Sequence, residues 1–364
     1  MLEVADIVRQ HGAAYRAAHG LLPSQARALR DIEHCRTPFF GGHLLQCDHC
    51  GQQRYAYHSC RNRHCPKCHT EQTRAWLERQ QSRLLPSPHY LLTFTLPAQL
   101  RPLVWNHQKL LYSALMRCAA AAVLTLTRDP RWLGGTPTIL AVLHTWTRAM
   151  LYHPHVHLLV SAGGLAPDRQ HWLEPKHCAF LVPVRALSVL FRAKFKAALA
   201  QARLAQNVPP VLWQQPWVVH ARHVGPGDKA LGYLARYVLR VAMANSRLEA
   251  FQHGQVTFRY RDNRTQRLGS ITLPAQEFLR RFLQHVLPAG FPKVRYYALA
   301  SAAARPYLQR AHQLLQPLPS PPEPAAPLTT PTSLADVQPP RCPHCHIGHL
   351  LILQTLRPRR KFPP

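Results

Sequence analysis

The sequence predicts an α+β protein, with a small Cys/His-rich N-terminal domain and a larger domain of antiparallel strands flanked by helices. Three observations predict it. Six of the ten cysteines fall between Cys35 and Cys68, interleaved with histidines. Two apolar, branched-rich runs, Thr138–Trp146 and Met150–Val160, follow each other closely enough to pair as strands. Amphipathic helices surround them; in Leu187–Leu204, the residues Leu187, Leu190, Phe191, Phe195 and Leu199 share one face. With 364 residues, 46% of them hydrophobic, the chain has material for one large core and one small one.

Residues 1–33 read as two helices around Leu21-Leu22-Pro23-Ser24, with Ser24 a fitting N-cap. The Cys/His segment runs from His34 to His69, and a helix Glu71–Leu85 is ended by Pro86 and Pro88. These bound a first domain at 1–88. The second, 89–316, opens with a short strand, Tyr90–Leu96, and a long helix, Leu103–Leu126, closed by Asp129-Pro130. After the strand pair and the helix Leu187–Leu204, Trp217–Val224 reads as a strand, and Asp228 caps a helix at Lys229–Ala244. Gln255–Arg261 and Gly269–Leu273 alternate around a polar turn, as in a hairpin. Helices at Ala275–Val286 and Arg305–Leu315 follow. Residues 317–340 form a Pro-rich linker that cannot build a core, and 341–364 a basic tail with Cys342-Pro-His-Cys345.

Lys and Arg total 45 against 16 Asp and Glu, a formal charge of +29. Such an excess repels itself unless a polyanion is near, and phosphate contacts release counterions, so the charge points to DNA or RNA. The basic residues are spread along the chain, without the amphipathic anchor that lies on lipid. The N-terminus carries Glu3 and Asp6 and lacks the charged-then-apolar pattern of an export signal. The longest apolar stretch, around Cys118–Leu126, is too short to span a bilayer, so no membrane partner is expected. No phosphate-cradling Gly-x4-Gly-Lys loop is present, so ATP use is not implied. Acids are too sparse for a carboxylate triad; none lies between Glu78 and Asp129.

The cysteine segment reads Cys35…His43-x3-Cys47-x2-Cys50-x9-Cys60-x3-His64-Cys65-x2-Cys68. Clustering with histidine in a chain without an export signal points to metal rather than disulfides. The two Cys-x2-Cys pairs, Cys47/Cys50 and Cys65/Cys68, suit one tetrahedral Zn²⁺. Cys35, His43, Cys60 and His64 are left over; they suit a second zinc ion or are ordinary core residues. Cys342 and Cys345 are half a zinc site or a pair of free thiols. Arg61, Arg63 and Lys67 surround the knuckles and suit contacts to nucleic acid.

In the second strand of the pair, His155 and His157 point to one side, spaced to hold one divalent ion, with Val156 packed behind. Two solvated or hydrogen-bonded histidines would show the same spacing. In Gly232-Tyr233-Leu234-Ala235-Arg236-Tyr237-Val238-Leu239-Arg240, the two tyrosines lie four apart, on one helix face and off the apolar stripe. A tyrosine hydroxyl is a poor nucleophile at its ordinary pKa near 10. A metal on a scissile phosphate, helped by residues such as Arg236 and Arg240, offsets the charge of the transition state.

Together these motifs resemble transposases of the insertion-sequence ninety-one family, two-tyrosine members of the His-hydrophobic-His nuclease superfamily. The resemblance runs from about His34 to Leu315. It rests on Cys35-Arg36-Thr37, Gly41-Gly42-His43, Ser59-Cys60-Arg61-Asn62-Arg63-His64-Cys65-Pro66-Lys67-Cys68, Leu143-His144-Thr145-Trp146, His153-Pro154-His155-Val156-His157, Tyr233-Leu234-Ala235-Arg236-Tyr237 and Val256-Thr257-Phe258-Arg259-Tyr260. It implies a zinc-binding N-terminal domain and a palm-like antiparallel sheet carrying the histidine pair, with the tyrosines on a nearby helix. It implies rolling-circle transposition through single-strand nicking and rejoining. Tyr233 and Tyr237 would be the nucleophiles, forming 5′-phosphotyrosine, and His155 and His157 would hold Mg²⁺ or Mn²⁺. The implied partner is single-stranded DNA from the ends of its own element, in a bacterial cytoplasm, nucleoid-associated while on DNA. A replication initiator or relaxase of the same superfamily, or a non-catalytic zinc DNA-binding regulator, are the competing readings. Three positions depart from the family pattern: Ser161-Ala162 before Gly163-Gly164, His58 before Ser59-Cys60, and Arg148 where a polar third ligand is usual. A cation cannot ligate a metal; His144 and His153 are candidates for that role, His144 suiting a buried, hydrogen-bonded strand position equally well, and the third ligand stays open.

Overall fold

The structure, a computed structural model, describes residues 2–68, 76–80, 83–177, 180–226, 229, 232, 242–262, 265–316 and 339–359. It divides into two compact units, Met1–Cys68 with Leu318–Pro364, and His69–Pro317. The expected boundary at residue 88 therefore falls at Cys68. The expected basic tail is no separate piece: its described part belongs to the smaller unit.

In the smaller unit α1 (Val4–Ala18) packs against α2 (Pro23–Glu33). Pro23 opens α2, where its missing N–H costs nothing. Val4, Ile7, Val8, Ala28, Leu29 and Ile32 are buried. A hairpin follows, β1 (Gly42–Cys47) with β2 (Gln53–Tyr57). The other edge of β1 pairs antiparallel with the C-terminal strand Leu350–Leu356, with Cys47 opposite Leu350. None of these three strands announces itself in the sequence, because each is short and none shows a clean alternation of buried and exposed residues.

The larger unit begins with β3 (Pro88–Thr95), α3 (Arg101–Asn106) and α4 (Gln108–Thr127). The single long helix expected here breaks at His107, whose φ of −124° and ψ of 42° leave the helical region. Next come β4 (Thr138–Trp146), β5 (Tyr152–Ser161), α5 (Val184–Gln201) and β6 (Val219–Pro226). The chain continues through β7 (Leu248–Gln252), β8 (Gln255–Arg261), β9 (Leu268–Pro274), α6 (Ala275–Leu283), β10 (Val294–Ala298) and α7 (Arg305–Leu315).

Five strands form the main sheet, in the order β10-β4-β5-β3-β6. Every neighbouring pair in it is antiparallel. Alternation sorts its faces. Tyr90, Leu92 and Phe94 of β3, Ile139, Ala141 and Leu143 of β4, and Val156, Leu158 and Val160 of β5 enter the main core with α4 and α5. The opposite face carries Leu91, Val142 and Leu159 in a smaller cluster. His144, His155 and His157 alternate onto that second face.

Among the described helices, α4 is long and apolar enough to cross a membrane by length and composition alone. The unbroken run Cys118–Leu126 understates it, since the whole helix is apolar on average. Two-thirds of its apolar window is buried (67%), and it packs on α5, β4 and β5 as the core helix of this unit.

The hairpin β8–β9, with β7 on its other edge, makes a second sheet covered by α6, where Phe258 meets Phe278 edge-on at 6.0 Å. This element clasps the turn between β4 and β5. Arg247 donates to the Arg148 carbonyl at 2.6 Å and Gln284 to that of Met150 at 2.9 Å. Met150 is buried at a left-handed φ of 59°, so the turn is held in a conformation a non-glycine residue adopts only under constraint.

Candidate metal centres

β4 and β5 place His144 directly opposite His155, while His157 sits two residues further along the same face. One nitrogen from each of the three imidazoles lies within 4.8 Å of the others. The ring centroids of His144 and His157 are 4.6 Å apart, and those of His155 and His157 are 5.0 Å apart. His153, the other candidate, receives a hydrogen bond from Arg101 at 2.9 Å and stays outside the cluster. Arg148, as expected of a cation, is turned away and bonds the Arg261 carbonyl at 3.4 Å.

Second contacts orient the rings. His155 Nδ1–H donates to the His153 carbonyl at 2.7 Å, and His157 Nδ1 lies 2.9 Å from the Thr93 hydroxyl. Both contacts engage Nδ1, so Nε2 is the nitrogen of each ring left for a metal. Thr93 is opposite His157 in the β3–β5 register. Burial, then the neighbouring His157, pushes His155 down to about 3, and burial pushes His157 down to about 4. The two imidazoles are therefore neutral near pH 7, the form that ligates a metal. Three imidazole donors fit a divalent cation and add no negative charge of their own.

Eight of the ten cysteines form two clusters, sorted differently from the expectation. Cys35, Cys60, Cys65 and Cys68 come together, and Cys47 and Cys50 join Cys342 and Cys345. The spacing rule finds each Cys-x2-Cys knuckle correctly. It does not say which knuckles share a metal. Cys47 ends β1 and turns toward the C-terminal strand, away from Cys65 and Cys68. His43 lies mid-strand with Nε2 3.2 Å from His58, and His64 donates its backbone N–H to Asn62 Oδ1 at 2.9 Å. Neither histidine belongs to a sulfur cluster.

In the first cluster Cys68 Sγ lies 3.5 Å from both Cys35 and Cys60 Sγ. In the second, Cys47 and Cys345 are 3.7 Å apart, and Cys50 and Cys342 are 3.8 Å apart. A tetrahedron with Zn–S bonds of about 2.3 Å has edges of about 3.8 Å. Both sets fit a Zn²⁺ ion. The first cluster holds Cys35 and Cys68 thiols down through sulfur–sulfur hydrogen bonds, and the same contacts push Cys60 and Cys65 up. Only a cation lets all four ionise together.

Comparison with known proteins finds a zinc-binding domain in the N-terminal part of the chain. Residues 7–96 match the family model described as a transposase zinc-binding domain, and residues 138–306 match one described as a putative transposase. A putative transposase, y4qJ, of Sinorhizobium fredii is 38% identical over 97% of this chain and 95% of its own length. The transposase for insertion sequence element IS801 of Pseudomonas savastanoi pv. phaseolicola is 31% identical over 87% of this chain and 82% of its own. The chain belongs to the IS91 family of transposases. No solved structure matches it.

Tyr233 and Tyr237 of this transposase, with Arg236 and Arg240, lie outside the described residues. Of the basic residues near the first sulfur cluster, Arg61 and Arg63 are exposed, whereas Lys67 pairs with Glu3 at 2.5 Å. Two positioning residues escaped the sequence. Thr93 carries no motif. His285 is buried, with Nδ1 3.3 Å from Thr145 Oγ1 and Nε2 3.1 Å from the Met150 carbonyl, so it ties α6 to both sides of the β4–β5 turn.

The transposase also has a basic cleft on the sheet face that carries the histidines. Arg79, Arg83 and Arg305 line it with Tyr296 and His312, and its volume is about 700 Å³. Tyr296 pairs with Leu140 of β4, so the two side chains share a face.

Proposed function

We propose that this transposase nicks and rejoins single DNA strands at the ends of its own element through 5′-phosphotyrosine, with Tyr233 and Tyr237 as nucleophiles. The observation that carries the reading is the convergence of His144, His155 and His157 on one sheet face, in a chain of a transposase family. A Mg²⁺ or Mn²⁺ ion held there supplies Lewis acidity to the scissile phosphate. The tyrosine oxygen forms a bond to phosphorus as the bond to the upstream 3′ oxygen breaks. The phenolic proton is lost to water, and the leaving oxygen takes one up as a 3′ hydroxyl. Rejoining reverses the exchange with a new 3′ hydroxyl, so no external energy source is needed. Two tyrosines support two successive transfers without release of an end.

The chain's own residues bind and orient. Thr93 and the His153 carbonyl orient the imidazoles; His285 steadies the β4–β5 hairpin, which carries all three ligands. Arg236 and Arg240 are assigned to the phosphate beside the nucleophiles. Arg61 and Arg63 on the zinc-binding domain, and the Arg79–Arg83–Arg305 cleft, are assigned to the DNA backbone; Lys67 has its Glu3 partner to give up first. In this reading Cys35, Cys60, Cys65 and Cys68 hold a structural Zn²⁺. The protein works in the cytoplasm, nucleoid-associated while on DNA.

The test is a covalent-adduct assay. Purified protein is mixed with labelled single-stranded DNA from the element ends, with and without Mg²⁺ or Mn²⁺, and run on a denaturing gel. A metal-dependent shifted band is expected, absent from the Tyr233→Phe/Tyr237→Phe variant. A band of equal strength in that variant would falsify the assignment of the nucleophiles. Folded, zinc-loaded protein that binds the ends but forms no band is a regulator instead.

A further inference from the structure

The second sulfur cluster draws its donors from positions nearly the whole chain apart: Cys50 and Cys342 are 292 residues apart in sequence. The family match for the zinc-binding domain ends at residue 96 and so omits half of this set. We propose that Cys47, Cys50, Cys342 and Cys345 form a second, bipartite Zn²⁺ site that fastens the C-terminal strand onto the N-terminal domain.

Both halves are built as metal knuckles. At the first, the backbone N–H groups of His49 and Cys50 each point at Cys47 Sγ from 3.4 Å. At the second, Gly348 N–H points at Cys345 Sγ from 3.4 Å, and Cys342 N–H bonds the Gly348 carbonyl at 2.7 Å. Such donors stabilise thiolates, the form that binds zinc. The halves are also fitted to each other. A Cβ on Gly348 would lie 2.7 Å from Cys47 Sγ and 2.6 Å from His49 Cβ, so only glycine lets the second knuckle close on the first. His349 N–H reaches Asp48 Oδ1 at 2.7 Å across the same seam.

The packing around the seam is too small to hold it alone. Its buried cluster is Cys47, Cys342 and Leu350, with Leu45 and Cys345 at its margin. Along the attached strand Leu351, Ile352 and Leu353 remain exposed. Three of the five apolar contributors are thus the sulfurs themselves. Segments with so little buried area depend on a cross-link or metal for their order.

The inference stands apart from the tyrosine chemistry and is tested without it. Zinc content is measured on the full-length protein by mass spectrometry, alongside amide exchange of residues 350–356. Two zinc ions per chain are expected in the native protein. Cys342→Ser/Cys345→Ser and Cys47→Ser/Cys50→Ser should each hold one, with amide protection of the strand lost; Cys118→Ser should keep two. Cobalt substitution guards against simple misfolding: the Cys342→Ser/Cys345→Ser variant should retain the visible absorption of one tetrahedral tetrathiolate, at half the native intensity. One zinc in the native protein, unchanged in Cys342→Ser/Cys345→Ser, overturns the proposal. So does loss of both ions with loss of fold, since that makes the sites inseparable. Two disulfides in place of free thiols, found by thiol counting under denaturation, overturn it as well.

Discussion

His155 spends its Nδ1 proton on the carbonyl oxygen of His153, 2.7 Å away and two residues back along the same strand. That bond fixes which nitrogen faces His144 and His157. It also makes the donor set wholly imidazole. Such a set favours Mn²⁺ over Mg²⁺, because nitrogen ligands suit the transition ion better. Manganese should therefore support adduct formation at lower concentration than magnesium. Replacing His144 with Ala should weaken Mn²⁺ binding as much as His155→Ala does, measured by calorimetry on the purified protein. A His144→Ala protein with native Mn²⁺ affinity removes His144 from the site.

Thr93 is one strand away from the ligands and supports His157 through its hydroxyl at 2.9 Å. Thr93→Val keeps the shape and deletes the oxygen. Mn²⁺ affinity should fall about 10- to 100-fold, and Thr93→Ser should restore most of it. Equal affinities for valine and serine would show that the hydroxyl does not orient the ring.

His89, in β3, is fully buried, with Nδ1 2.8 Å from the Ser87 carbonyl. Burial holds it down to about 4 from an ordinary 6.5. Between those values the unfolded chain binds a proton that the folded chain refuses. Its contribution is thus intact above about pH 6.5 and is lost as pH falls toward 4. The loss amounts to roughly 3 kcal/mol by pH 4. Glu277, held near 2 chiefly by Arg280, enters only below its ordinary 4.5, so the window above that belongs to histidine. Urea unfolding at pH 7.5, 6 and 5 should show a shallower decline in His89→Gln than in the parent, a comparison that cancels effects of zinc release. Parallel declines remove His89 from the acid response.

The arginine cleft makes a prediction in salt. Each Lys or Arg that meets a phosphate adds about 0.7 to the slope of log K against log[salt] for a single strand. Arg83→Ala and Arg305→Ala should each lower the slope by roughly that amount and weaken binding evenly across sequences. Fluorescence anisotropy at several salt concentrations reads both quantities. Lower affinity at an unchanged slope would mean that these side chains shape the cleft without touching phosphate.

Much of this was legible in the chain. Periodicity found β4, β5, the β8–β9 hairpin and α5, because long alternating or helical stretches bury one face against a large core. The same alternation put His155 and His157 on one side. It could not choose between His144 and His153 as the third ligand, because a cross-strand neighbour depends on register, here His144 opposite His155. The sulfur partition was hidden for a related reason. Local spacing says that Cys47 and Cys50 reach one ion, but not that a strand beginning at Leu350 will lie opposite Cys47. The break at His107 was also invisible, since an apolar helical pattern runs straight through it.

The partnership of Cys50 with Cys342 has a consequence in time. A ribosome adding about 5 to 20 residues each second makes Cys342 some 15 to 60 s after Cys50, across the 292 positions between them. Through that interval half of this site's four sulfurs exist and the other half do not. The module that leads in translation is among the last parts of the nascent chain to be finished, and a polypeptide cut short before Cys342 carries it permanently open.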